Sequence, residues 1–254
     1  MARSMKLTVL VLAALALGGF FGARLVARSL AAPRAPGSRA QARSAAVPVA
    51  PRGAPSFELH VPRLHGAIVL DGDMDDSGWA GNIARTGSFL APSGLPARPY
   101  SDARMVWGDG YLYVALYAAD EDVRAQPRVP DSPVWLDDAF HLAFTSSDRV
   151  ERTLDVSVLG VVTDAIRRGD GPADYAWQSG VHVAHENDGT LNDATDDDEE
   201  WVLELAIPLE SLGLKGDKGE RVGFSVRRCD TPKGLARVCG SWGEGESQGA
   251  IVLD

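Results

Sequence analysis

Carboxylates are the residues best placed to do chemistry in this sequence. Asp193, Asp196, Asp197, Asp198, Glu199 and Glu200 crowd into one short stretch. Such a set can collect a hard cation through oxygen ligands, with calcium the expected ion and Asp193, Asp196 and Asp198 the expected ligands. A solvated acidic loop accounts for the same residues. Asp71, Asp73 and Asp75 have the spacing that opens an EF-hand loop, but the sixth position is Asp76 instead of Gly and the twelfth is Asn82 instead of Glu. That match fails. His60, His65, His141, His182 and His185 never fall into the His-Glu-x-x-His spacing of a helical zinc site. A phosphate-cradling Gly-rich loop before a helix and Cys-x-x-Cys are both missing. Carboxylates are too abundant for any pair to single out a glycosidase centre. The chain therefore reads as non-catalytic, with no required cofactor and calcium as a structural option.

Cys229 and Cys239 are the two cysteines, with Thr231-Pro232-Lys233-Gly234 reading as a turn between two strands. A cross-strand disulfide would close a loop of about ten residues and contribute about 2 to 3 kcal/mol in the chain-entropy model. It would suit an exported domain. Two unpaired buried thiols are the other reading.

Charge is segregated along the chain. The first 52 residues carry eight basic residues and no acidic one, which leaves 17 Lys and Arg against all 35 Asp and Glu in the remainder. That remainder has a net charge of about −18, so a nucleic acid is an unsuitable partner, lacking a basic footprint to bind.

Leu7 to Ala23 is an uncharged apolar run behind Arg3 and Lys6, at the short end of what spans a bilayer and long for a signal peptide core. Residues 1–30 are expected to act as a signal-anchor or signal peptide, forming an N-terminal membrane-targeting helix. Ser29-Leu30-Ala31 offers small residues for cleavage, but Arg24 and Arg28 intervene and favour retention. Arg24, Arg28, Arg34, Arg39 and Arg43 on the C-terminal side conflict with the positive-inside rule. The domain is nevertheless expected to face the periplasm or exterior, membrane-anchored or secreted. Residues 31–56 are rich in Ala, Pro and Arg and cannot bury enough surface to offset their ordering entropy. They read as a disordered tether spanning roughly 30 Å as a coil and roughly 80 Å as polyproline II.

Residues 57–254 show the patterning of strands. Asp109-Gly110 is a type I′ turn pair, because both central positions need positive φ. After it, Leu112, Val114, Leu116 and Ala118 alternate with Tyr111, Tyr113, Ala115 and Tyr117, a period of two that no helix uses. Phe140, Leu142 and Phe144 alternate too, as do Leu154, Val156 and Val158, and Val222, Phe224 and Val226. Trp201, Leu203, Leu205 and Ile207 form a further strand, closed by Pro208. Helical periodicity is limited to one turn at Leu209 to Leu212. The expected fold is all-β, an antiparallel β-sandwich.

A series of short motifs follows in order along residues 68–249. Ile68-x-Leu70-Asp71-Gly72 with Trp79 leads into Val106-Trp107-x-Asp109-x-Tyr111-Leu112-Tyr113-Val114-Ala115. Val134-Trp135-Leu136-Asp137-Asp138-Ala139-Phe140 follows. Gly189-Thr190-Leu191-Asn192, Asp196-x-Asp198 and Trp201-x-x-Glu204-x-Ala206-Ile207-Pro208 come next, then Gly223-Phe224 with Arg228, and Ser241-Trp242 with Gly249. In this order the motifs resemble family 9 carbohydrate-binding modules and their DOMON-like relatives, and the resemblance implies a jelly-roll sandwich that in relatives binds sugar chain ends and often holds structural calcium.

In that family two Trp rings sandwich the sugar, flat aromatic faces meeting ring C–H groups. Trp135 matches the first. The second belongs in the closing loop after Trp242, where this chain has Gly243-Glu244-Gly245-Glu246-Ser247-Gln248 and no aromatic. The polar strand reads Thr153 to Gly160, where Asp155 and Ser157 could bind hydroxyls and the family's Asn positions have become Ser157 and Gly160. Trp177 could add an aromatic wall from its loop. Arg228 could reach a ligand or pair with Glu204 inside the sandwich. Trp242 stands beside the site but in a strand motif, as core residues do. The expected partner is a polysaccharide or cell-wall glycan. Two other readings stay open: a scaffold domain of the cell envelope that has lost its sugar site, and a haem carrier with Met105 or His141 as axial ligands.

Overall fold

The computed structural model describes residues 57–254 apart from 127, 148, 246 and 247. The proposed membrane-targeting helix (1–30) and tether (31–56) lie outside the described residues. Among the described residues twelve strands form two sheets: β1 (Glu58–Val61), β2 (Ala84–Arg85), β3 (Ser101–Gly108), β4 (Tyr111–Ala119), β5 (Ala139–Thr145), β6 (Val150–Ser157), β7 (Val162–Arg168), β8 (His182–Asp188), β9 (Glu200–Pro208), β10 (Arg221–Asp230), β11 (Val238–Trp242) and β12 (Ala250–Leu253). One sheet runs β1-β12-β10-β5-β6-β7, with β11 also on β10, and the other runs β2-β3-β4-β9-β8. The fold is an all-β sandwich. One pairing departs from the antiparallel expectation, since β1 lies parallel to β12.

The β3–β4 hairpin turns at Asp109 (φ 51°) and Gly110 (φ 86°), the positive pair that a tight hairpin demands. β4 then pairs with β9 along its whole length, from Tyr111↔Pro208 to Ala119↔Glu200. Leu112, Val114, Leu116, Trp201, Leu203 and Leu205 point into the sandwich and are fully buried. Phe140, Leu142, Phe144, Phe224 and Val226 meet them from the opposing sheet.

The outer face of the five-stranded sheet is covered by the segment after β1. Trp79 packs on Val106 and Ala115, joined by Leu64, Ile68 and Met74. Glu204, fully buried on that outer face, fixes the covering segment. Its Oε1 accepts the Trp79 indole N–H at 2.6 Å, and its Oε2 accepts the Asp71 and Gly72 backbone N–H groups at 3.1 and 2.9 Å. An internal Arg228–Glu204 pair is therefore ruled out. Side chains alternate along β9, so Glu204 faces away from the core that Trp201 and Leu203 enter.

Arg228 pairs elsewhere. It is 3% exposed, with Nη2 at 2.7 Å from Asp120 Oδ2 and 3.4 Å from Asp230 Oδ1, while Nη1 donates to Ser101 Oγ and the Ala119 carbonyl. Its guanidinium also lies over the Trp201 ring, 5.5 Å from the centroid. Cys229 and Cys239 face each other across β10 and β11 and form a disulfide.

Candidate functional site

The free outer face of the larger sheet carries a cleft of about 550 Å³. Its floor comes from outward-facing positions of four adjacent strands, β10, β5, β6 and β7. His141 on β5 stands opposite Asp155 on β6 and Arg227 on β10. His141 Nδ1 and Asp155 Oδ1 are 2.9 Å apart, so the Asp fixes the ring. Glu151 and Arg167 pair across β6 and β7.

Two aromatic rings stand on the rim. Trp135, 44% exposed, rides on the 3-10 turn Val134–Leu136, whose Val134 is fully buried and pins the turn. The bidentate pair of Arg128 with Asp137, at 2.6 and 2.9 Å, holds its far end. Tyr175, 52% exposed, comes from the loop between β7 and β8. Asp174 exchanges backbone hydrogen bonds with Ile166 at 2.8 and 3.1 Å, and its carboxylate accepts the Ala176 N–H at 3.0 Å. Tyr175 is thus bracketed by anchored neighbours.

The expected site residues divide between this cleft and other places. Trp135 and Asp155 line it. Ser157, buried, accepts the Val161 N–H and closes the β6–β7 turn instead of lining the cleft. Trp177 is half-buried and does not line the cleft. Arg228 sits between the sheets, because it shares the inward parity of Phe224 and Val226. Trp242 is a core residue at 5.5 Å from the Phe57 ring and 5.8 Å from the Phe224 ring. Tyr175, Arg227 and Arg237 line the cleft without having been singled out in the sequence. Strand alternation beside Phe224 could have placed Arg227, whereas Tyr175 and Arg237 stand in loops with no periodicity to read.

Among the described residues Asp193, Asp196 and Asp198 form no convergent group of carboxylate oxygens. Asp198 is buried and spends its two oxygens on the Thr190 and Val123 N–H groups, both at 2.7 Å. Asp196 accepts from the Thr190 hydroxyl, and Asp193 accepts from Thr195. Among the described residues the carboxylates that do converge are Asp120, Asp138 and Asp230, all buried, with oxygens within 4.8 Å of one another. Oxygen donors suit a hard cation, but Arg228 already stands against two of the three. Burial pushes Asp138 up to about 8 and Asp230 up to about 6, with the Asp120 charge adding to both. Asp138 and Asp230 thus hold their protons to higher pH than a solvated carboxylate, which relieves the excess negative charge. Met105 is fully buried between the sheets, whereas His141 lies on an outer face, so the two cannot serve one haem pocket.

No family model matches the chain, and no curated protein matches it. Solved structures do. A provisionally assigned carbohydrate-binding protein from Bacteroides uniformis superposes with a TM-score of 0.57 at 14% identity, over 79% of this chain and 100% of that one. A family 9 carbohydrate-binding module from Caldicellulosiruptor kristjanssonii, solved with cellotriose, gives 0.52 at 15% identity, over 78% and 93%. At these identities the likeness establishes the fold, which is that of family 9 modules.

Proposed function

We propose that this domain is a non-catalytic carbohydrate-binding module whose ligand lies in the cleft between Trp135 and Tyr175. The observation that carries the reading is the pair of anchored, half-exposed aromatic rings beside polar side chains on one sheet face. Flat rings accept sugar C–H faces and the polar floor orients hydroxyls. The closing loop lacks an aromatic, yet Tyr175 offers a second ring from a different loop, which favours a sugar site over an envelope scaffold. The fold shared with a module solved with cellotriose supports a glycan ligand.

The domain is further proposed to work outside the cytoplasm, tethered through residues 1–56. The Cys229–Cys239 disulfide supports this placement, as do the basic start and the apolar run. No helix among the described residues is long and apolar enough to cross a membrane.

The test is depletion of the purified full chain from solution by a panel of insoluble polysaccharides and cell-wall fractions, beside Trp135→Ala. Depletion that the variant loses supports the reading. A folded protein that stays in solution with every polysaccharide refutes it.

A further inference from the structure

The charge of the cleft opposes the charge of the domain that carries it. Residues 53–254 have a large acidic excess, yet the cleft is lined by three arginines, Arg167, Arg227 and Arg237, against two carboxylates, Glu151 and Asp155. Each carboxylate is already engaged inside the cleft, Glu151 with Arg167 and Asp155 with His141. Among the described residues Arg227 pairs with Glu244, at 3.5 Å and with both side chains partly solvated, an arrangement of little strength.

Arg237 is the decisive group. Its Nη2 donates to the carbonyls of Trp135 at 2.9 Å and Asp137 at 3.3 Å, and no carboxylate among the described residues lies within ion-pair distance of it. Those carbonyls are neutral. They orient the guanidinium beside the Trp135 platform without cancelling its charge, and its remaining N–H donors stay available. A guanidinium fork matches a carboxylate in geometry.

Resting on the sugar-binding reading above, we propose that the ligand is an anionic saccharide, a uronate-bearing chain, whose ring stacks on Trp135 and whose carboxylate meets Arg237, with Arg227 adding to the field. A neutral glucan would leave these cations without a partner.

The experiment is titration calorimetry of the full chain with trigalacturonate and oligoglucuronate, each beside its carboxyl-reduced counterpart, at low and high salt, with Arg237→Gln in parallel. The acidic forms are expected to bind at least about tenfold tighter than their reduced counterparts, since charge-assisted hydrogen bonds exceed neutral ones. That ratio should shrink with salt and fall to near one in Arg237→Gln. Equal affinity for acidic and reduced forms, or a ratio that the variant leaves intact, overturns the anionic assignment while the sugar-binding reading stands. A folded protein that binds neither these saccharides nor any polysaccharide in the depletion panel overturns both.

Discussion

Arg228 Nη2 lies 2.7 Å from Asp120 Oδ2 in the gap between the two sheets, where neither side chain meets solvent. The Trp201 indole N–H shares the same oxygen at 3.0 Å, and the Asp122 backbone N–H takes the other at 3.1 Å. This pair joins the end of β4 to β10 and so locks one end of the sandwich. Arg228→Met removes the guanidinium that pairs with Asp120 and Asp230. Breaking a buried pair leaves uncompensated charge, so a loss of about 3 to 5 kcal/mol is expected in urea denaturation. A loss under about 1 kcal/mol would show that the carboxylates need no cation.

The same cluster sets a pH dependence. Asp138 titrates near 8 and Asp230 near 6 in the folded protein, both above the ordinary carboxylate value of 3.8. Burial raises Glu204 as well. Between the unfolded and folded values the native state holds more protons than the unfolded state, so stability falls as pH rises. The contribution is complete below about pH 4 and is lost as pH climbs through 6 and 8. Asp193, Asp197 and Glu220, shifted down, act oppositely but only in acid. Tm is therefore expected to drop between pH 5 and pH 8.5, as followed by circular dichroism. Asp138→Asn should flatten the slope, since its amide oxygen can still accept the Arg124 N–H that Asp138 accepts at 2.7 Å. A variant with an unchanged slope would place the titration elsewhere.

Alternation made much of the fold legible in the sequence. The hairpin at Asp109-Gly110, the β9 strand ending at Pro208 and the inward Phe140, Leu142 and Phe144 all follow from period-two burial and turn chemistry. The site was legible in part. Trp135 stands out through its motif, whereas the charge of Arg228 suggests a ligand contact and its parity with Phe224 and Val226 points inward. Glu204 likewise lies one step out of phase with Trp201 and Leu203. Tyr175 and Arg237 belong to loops, where placement depends on contacts such as Asp174 with Ile166 that no local pattern encodes.

Glu204 offers a test of the covering segment. Trp79→Phe removes the indole donor and leaves Glu204 Oε1 without its 2.6 Å partner. The expected loss is about 2 kcal/mol, the scale of a buried hydrogen bond to a charged group. Glu204→Gln should cost at least as much, because its amide NH₂ would face N–H donors. Proteolysis in the stretch around Asp73 to Asp76 should accelerate in both variants. Unchanged cleavage there would mean that the apolar contacts of Trp79 alone hold the segment.

The disulfide has a stability effect and a positional one. Cys229 lines the cleft, and the hairpin that the bond closes carries Arg237. Replacing both cysteines by Ala should lower stability by about 2 to 3 kcal/mol, the loop-closure entropy of about ten residues. Ligand affinity should fall too, since Arg237 loses its fixed approach to the Trp135 carbonyl. Affinity that survives intact would assign the bond to stability alone.

The two rim aromatics separate the cleft from its neighbours. Trp135→Ala and Tyr175→Ala should each weaken glycan binding by about 1 to 3 kcal/mol of lost stacking and burial, with little change in Tm because both rings are half in solvent. Trp177 lies two residues beyond Tyr175 but does not line the cleft, so Trp177→Ala should leave affinity within about twofold. The comparison is sharp because all three are aromatic and two share one loop. If Trp177→Ala abolishes binding while Tyr175→Ala does not, the loop between β7 and β8 turns the other ring to the sugar, and the cleft as described is not the binding face.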